Sequence, residues 1–161
     1  LGEIIHQASG KYVDDFAKSY LFEPLGITNY NWSYIKKSKH VDSGGHIFMT
    51  PRDMAKIGLL VLNKGRWIGE QIVSEEWIER STLQHINLGG SQYGFLWWRL
   101  PFRLGEELTT AICARGNGGQ YIMVLPDAKL VAVFTGGNYN TPNAQIPLNI
   151  MGKVILPSLQ R

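Results

Sequence analysis

Arg115-Gly116-Asn117-Gly118-Gly119-Gln120 runs without a break into Tyr121-Ile122-Met123-Val124-Leu125-Pro126-Asp127. A run of small residues therefore stands at the entrance to an apolar, strand-like segment. Gly116, Gly118 and Gly119 carry no Cβ, so another group can approach the backbone closely there. Glycine beside a buried strand marks either a bulge or a place where a ligand lies along the strand edge. Backbone N–H groups exposed in such a stretch suit a carboxylate or a developing oxyanion. The same spacing also suits a plain hairpin turn, since glycine favours turns. The run alone leaves both readings open.

Working outward, Pro126-Asp127-Ala128-Lys129 is a tight turn signal, and residues 130–135 are a fully apolar strand. On the other side, residues 108–114 form a candidate strand, and Tyr93-Gly94-Phe95-Leu96-Trp97-Trp98 is aromatic and strand-like. Strands joined by short turns predict an antiparallel meander. Residues 144–156 close the chain as a helix, weakened by Pro147 and Gly152.

The first half reads differently. Leu1, Ile4, Ile5 and Ala8 keep a helical spacing that Gly10 can close. Val13, Phe16, Ala17 and Tyr20 mark a second helix, with Asp14 and Asp15 in its first turn and Pro24 beyond its end. Residues 28–46 read as loop, with a short extended piece around Trp32. Thr50-Pro51-Arg52-Asp53 is a strong helix start, and Met54, Ile57, Leu60 and Val61 give that helix its apolar stripe before Gly65. Ser74 caps another helix whose first turn holds Glu75 and Glu76. Helices first and strands later predict an α+β architecture.

At 161 residues the chain suits one domain with a real core, or a large piece of a bigger one. Its 44% hydrophobic content and 18 aromatic side chains exclude a disordered segment. The net charge is +3, with the basic residues scattered and Lys36, Lys37 and Lys39 as the one cluster. No basic helix or aromatic-basic alternation surrounds that cluster, so it reads as a solvated loop and no nucleic-acid partner is expected. No stretch reaches the roughly 18–20 apolar residues that span a bilayer. Cys113 is alone, which excludes an internal disulfide, and its apolar neighbours predict an inert buried thiol. His6, His40, His46 and His85 lack metal-ligand spacing, and no metal or other cofactor is expected.

Two short motifs fail. Ser33-Tyr34-Ile35-Lys36 matches Ser-x-x-Lys, in which a Lys deprotonates a Ser one helical turn away, but Asn31-Trp32-Ser33-Tyr34 is poor helix material. Asp42-Ser43-Gly44-Gly45 is similar to the nucleophile segment of trypsin-like proteases, yet Val41 precedes it and the surrounding sequence is not all-β.

Several segments in collinear order resemble one family, the serine β-lactamase-related hydrolases: class C β-lactamases, DD-peptidases and related esterases. They are Leu1-Gly2-Glu3-Ile4-Ile5, Pro24-Leu25-Gly26-Ile27 and Met49-Thr50-Pro51-Arg52-Asp53-Met54-Ala55-Lys56. Ile72-Val73-Ser74-Glu75-Glu76-Trp77, the aromatic segment from Tyr93, the glycine-rich stretch and Thr135-Gly136-Gly137-Asn138-Tyr139 complete the set. The resemblance implies a β-lactamase/transpeptidase-like fold. It also implies an acyl-serine mechanism on an amide or ester, with a β-lactam among the possible substrates and an extracytoplasmic setting common.

In that family a Ser-x-x-Lys nucleophile motif and a Tyr-x-Asn motif come first, and a Lys-Thr-Gly or His-x-Gly motif follows on a strand bordering the site. Aligning glycines places Asn117, Gly118 and Gly119 on this third motif as substrate-binding residues, and Gln120 on the backbone oxyanion position. Asn117 replaces the usual cation or imidazole, and Arg115 is the candidate to supply the charge instead. No Tyr-x-Asn occurs in the chain. The resemblance thus implies that residues 1–161 are the C-terminal part of a single hydrolase domain, with nucleophile, Lys and Tyr upstream. Alone, that part is expected to be inactive and to expose a sheet edge open to homodimerisation. A non-catalytic binding or scaffold protein that keeps the fold is the alternative.

Overall fold

A computed structural model describes residues 1–36, 38, 40–89 and 91–159. The chain divides into two compact units, residues 1–53 and 54–161. Lys37 and Lys39, two of the three residues of the lysine cluster, lie outside the described residues.

In the first unit, helix α1 (Gly2–Ser9) ends on Gly10, whose N–H donates to the His6 carbonyl and whose left-handed backbone (φ 70°) turns the following chain out of the helix. Helix α2 (Val13–Ala17) runs on through a widened turn, Lys18–Phe22. Strands β1 (Tyr30–Trp32) and β2 (Ile47–Met49) pair antiparallel. Phe22, Leu25, Ile27 and Val41 are its buried apolar residues. The Trp32 indole N–H donates to the Asp42 carbonyl at 2.9 Å, anchoring the connection between the strands. The tyrosine hydroxyl of Tyr34 donates to Asp14 at 2.9 Å.

Helix α3 (Pro51–Leu62) starts as its sequence predicts. Thr50 Oγ1 accepts from the Asp53 N–H at 3.1 Å and donates to the Asp53 carboxylate at 2.8 Å, so the cap is reciprocal. In the second unit, strands β3 (Arg66–Trp67) and β4 (Glu70–Gln71) form a hairpin, and Ser74 caps α4 (Glu75–Thr82) by accepting from Trp77 N–H at 3.2 Å. The remaining strands are β5 (Ile86–Leu88), β6 (Ser91–Tyr93), β7 (Trp98–Leu104), β8 (Glu107–Arg115), β9 (Tyr121–Leu125) and β10 (Leu130–Phe134). They form one antiparallel sheet in the order β10-β9-β8-β7-β6-β5, a continuous meander. Helix α5 (Ile146–Ile150) follows a short 3₁₀ turn and continues through Met151–Ile155 into α6 (Leu156–Ser158).

Strand β9 is buried along its whole length, because both faces of the sheet are covered. Tyr121, Met123 and Leu125 pack with Met151 and Leu156 of the C-terminal helical segment. Ile122 and Val124 pack with Val61 of α3 and Ile78 of α4. Each such side chain contributes about 1.5–3 kcal/mol of transfer free energy. Helix α3 can lie this close because Gly58 carries no side chain: a Cβ there would sit 2.5 Å from Val131 and 2.9 Å from Ile122.

The aromatic segment departs from its reading as one strand. It breaks into the end of β6, a turn over Gly94–Trp97, and the start of β7, with the Gly94 N–H donating to the Trp97 carbonyl at 2.8 Å. The chain turns there because it crosses the end of α4. A Cβ on Gly94 would lie 2.5 Å from the Ser81 carbonyl oxygen and 2.6 Å from that of Leu83. Strand β7 also contains Pro101, which lies beyond the two residue pairs joining β6 to β7, so its missing N–H breaks no ladder on that side.

Candidate functional site

Strand β8 ends at Arg115, and the chain returns as β9 through the loop 116–120. The glycine-rich stretch is a hairpin loop at one end of the sheet, and its motif residues lie beyond the strand. The Gly116 N–H donates to the Gln120 carbonyl at 2.9 Å, and the Gly119 N–H to the Gly116 carbonyl at 3.4 Å. Gly119 holds φ at 89°, a conformation that a residue with a side chain rarely adopts.

The Gln120 side chain folds back over this loop. Its Oε1 accepts from the Gly118 N–H at 3.0 Å, and its Nε2 donates to the Gly136 carbonyl, just after β10. Three glycines make room for this arrangement. A Cβ on Gly116 would lie 2.5 Å from Gln120 Oε1. On Gly118 it would lie 2.7 Å from Gln120 Nε2 and 2.9 Å from the Tyr139 ring. On Gly136 it would lie 2.5 Å from the Gly118 carbonyl oxygen. The close approach read from the glycines is therefore occupied, in this structure, by the protein's own side chains.

Further bonds fasten the loop to residues 136–140. The Asn138 N–H donates to the Gly118 carbonyl at 3.0 Å, and Asn117 Nδ2 donates to Asn140 Oδ1 at 2.8 Å. Gly118 and Gly119 are buried, Gln120 is half-buried and Asn117 is exposed. Within the loop, the N–H groups of Gly116, Gly118 and Gly119 are hydrogen-bonded. Among the described residues, those of Asn117 and Gln120 meet no acceptor.

Arg115 is exposed at the end of β8, on the same face as Cys113 and opposite Tyr121 across the ladder. Its guanidinium lies 5.7 Å from the centre of the Trp98 ring and 5.9 Å from that of Tyr121, within reach of both π-faces. Tyr121 is 1% exposed, and its hydroxyl finds no hydrogen-bond partner among the described residues. Burial pushes its pKa up, partly offset by Arg115. Cys113 is fully buried, and desolvation pushes its thiol up to about 12, so it stays protonated and inert at neutral pH.

The sequence motifs that failed lie in irregular or extended chain. Ser33 and Tyr34 lie in extended chain, with an isolated bridge from Tyr34 to Val41, so Ser33 and Lys36 do not share a helix. Asp42 accepts from the Gly44 N–H at 3.0 Å and contacts His46 Nδ1 at 2.7 Å, both within one exposed loop. No group of three or more metal-ligating side chains occurs among the described residues, and none of their helices is long and apolar enough to cross a membrane. Sequence reasoning assigned Gln120 a backbone role and missed its side chain. It also missed the counterparts Gly136, Tyr139 and Asn140, whose one signal was the second glycine pair at Gly136-Gly137.

The Beta-lactamase family model matches residues 1–147. A structure described as a 6-aminohexanoate-dimer hydrolase from Bacillus anthracis superposes with a TM-score of 0.80 at 23% identity, over 99% of this chain and 42% of that one. The simvastatin synthase LovD of Aspergillus terreus does so with a TM-score of 0.73 at 12% identity, over 99% and 53%. An octameric penicillin-binding protein homologue from Pyrococcus abyssi gives 0.66 at 22%, over 96% and 40%. This chain thus spans about half the length of these structures or less. Among individually curated proteins, none matches. These structures share the helices and antiparallel sheet of a β-lactamase/transpeptidase-like fold, and with a family match over residues 1–147 the chain belongs to the beta-lactamase family of hydrolases.

Proposed function

We propose that residues 1–161 are the C-terminal part of a single serine hydrolase domain that cleaves an amide or ester through an acyl-serine intermediate. The nucleophilic Ser, its Lys and the catalytic Tyr come from residues preceding Leu1 in the whole protein. This chain supplies one wall of the cleft and, in the loop 116–120, a backbone donor to the oxyanion. The observation that carries this reading is the pair of N–H groups, on Asn117 and Gln120, that meet no acceptor among the described residues in a loop whose three other N–H groups are hydrogen-bonded. Preorganised backbone donors of this kind stabilise a tetrahedral intermediate, and each is worth about 10²–10³ in rate. Asn117, the exposed residue of the motif, meets the substrate, the buried Gly118 and Gly119 shape the backbone that presents it, and Arg115 offers a positive charge to a substrate carboxylate. The absence of Tyr-x-Asn from this chain and its partial coverage of structural neighbours support the division of labour. The neighbour described as a dimer hydrolase is in keeping with an amide among the substrates.

A second reading, a non-catalytic binder that keeps the fold, draws on Asn117. Its side-chain amide is engaged with Asn140 and supplies no positive charge or imidazole. Intact mass before and after a fluorophosphonate or a penicillin separates the two. The complete protein is expected to gain one adduct, and the 161-residue chain none. A complete protein that stays unlabelled would support the binder, and an adduct on Ser33 of the short chain would overturn the division proposed here.

Strand β10 forms one edge of the sheet, and its sequence Leu130–Phe134 is apolar throughout. An unpaired apolar edge is a template for another strand, and the isolated chain is expected to self-associate through it. Sedimentation as a clean monomer would count against that.

A further inference from the structure

We propose that the Gln120 side-chain amide is the positioning residue of the glycine-rich loop. By consuming the Gly118 N–H, it leaves the Asn117 and Gln120 N–H groups as the donors a substrate oxygen meets. The proposal rests on reading this loop as part of an oxyanion hole, and it deepens that reading by adding a side-chain role to the backbone one.

The argument is geometric. A five-residue loop, 116–120, with three glycines has many accessible shapes, and an oxyanion donor is useful only when held in one of them. Gln120 is the one side chain in the loop that bonds at both ends of its amide, to Gly118 within the loop and to Gly136 outside it. These two contacts need opposite polarities, an acceptor oxygen and a donor nitrogen, separated as they are in a carboxamide. A carboxylate matches only the first. A methionine matches the length but neither polarity. The glycines at 116, 118 and 136 are sized to this amide, since a Cβ at any of them would come within 2.7 Å of Gln120 or of the loop backbone it fastens. Asn138 and Asn140 then follow Gly136 into register with Gly118 and Asn117, so one amide sets the alignment of two segments.

The test compares the complete protein with its Gln120→Met and Gln120→Glu variants, using two independent readouts. The first is amide hydrogen exchange in peptides covering the loop and residues 134–140. It is expected to quicken about tenfold or more in both variants at pH 7, from the loss of net-favourable hydrogen bonds. The second is hydrolysis of p-nitrophenyl butyrate. It is expected to lose about 10²-fold in kcat, while KM changes less than about threefold, because misplacement acts on the transition state. As pH falls, Gln120→Glu gains a proton it can donate to the Gly136 carbonyl. Its defect relative to wild type is expected to shrink, whereas that of Gln120→Met does not.

Unchanged exchange in Gln120→Met would overturn the positioning role. Faster exchange with unchanged kcat would keep the fastening but overturn the link to substrate donors. A wild-type protein that neither hydrolyses this ester nor is labelled by a fluorophosphonate would sink the proposed hydrolase function, leaving the exchange readout to decide whether Gln120 holds the loop.

Discussion

The loops 42–46 and 116–120 look alike in sequence: each is short, polar and holds two or more glycines. In the structure they obey different constraints. A Cβ on Gly45 would meet nothing within 4 Å, and one on Gly44 only the Asp42 carboxylate at 3.2 Å. Around 116–120, a Cβ on Gly116 or Gly118 would strike the Gln120 amide, and Gly118 would also meet the Tyr139 ring. The first loop is held by bonds from Asp42 to Gly44 and His46, and by the Trp32 indole and the Gly2 N–H reaching Asp42, Gly45 and Ser43. The second is held by partners sixteen and more positions away, at Gly136 and Asn140. Glycine serves as slack in one and as clearance in the other, and composition does not distinguish the two uses.

Substitutions sharpen this contrast. Gly136→Ala places a methyl against the Gly118 carbonyl oxygen, which belongs to the backbone and cannot swing aside. A loss of about 3 kcal/mol is expected in urea unfolding. Gly118→Ala meets the Tyr139 ring and the end of the Gln120 side chain, both of which can rotate. Its loss is expected to be about 1–2 kcal/mol, together with faster exchange in residues 136–140. Gly45→Ala has room and an ordinary backbone. It is expected to stabilise the protein by about 0.4–1 kcal/mol, since alanine reduces the freedom of the unfolded chain. If Gly45→Ala destabilised as much as Gly118→Ala, the contrast would collapse.

The smallest effect concerns pH. The Gly44 N–H bond and then the contact with His46 hold the Asp42 pKa below the ordinary aspartate value of 3.8. A lowered folded pKa stabilises the loop above that value, and the contribution is lost as pH falls through the folded pKa. A carbon-detected NMR titration of Asp42 is expected to show its midpoint below that of an unfolded aspartate, and an ordinary midpoint would dissolve the pairing.

Much of the sheet was readable because turn chemistry fixes strand ends. Pro126-Asp127 and the flanking apolar runs locate β9 and β10. Strand β5 escaped because its residues, Ile86-Asn87-Leu88, are all exposed and so carry no burial pattern. Strand β7 escaped because Pro101 argues against a strand, and only the pairing pattern explains why it is tolerated. The break at Gly94 is imposed by two carbonyls of the chain near the end of α4, which no local rule registers. At the site, the glycine run and its place before β9 were legible. The Gln120–Gly136 contact was not, because it joins segments separated by a whole β-hairpin. The family resemblance carried the fold, through ordered segments in which no single motif was diagnostic.

The uninterrupted meander also bears on how the chain acquires its structure. Every strand from β6 to β10 pairs with the one synthesised just before it, so sheet growth requires no long loop to close. The longest pairing, β7 with β8 from Trp98↔Cys113 to Leu104↔Glu107, turns on Gly105, whose φ is 68°. That hairpin is the expected nucleus, and in stopped-flow experiments Gly105→Ala is then expected to slow refolding more than it quickens unfolding. The fully buried β9 would then arrive on a strand already in place, its apolar residues spending little time unprotected in water.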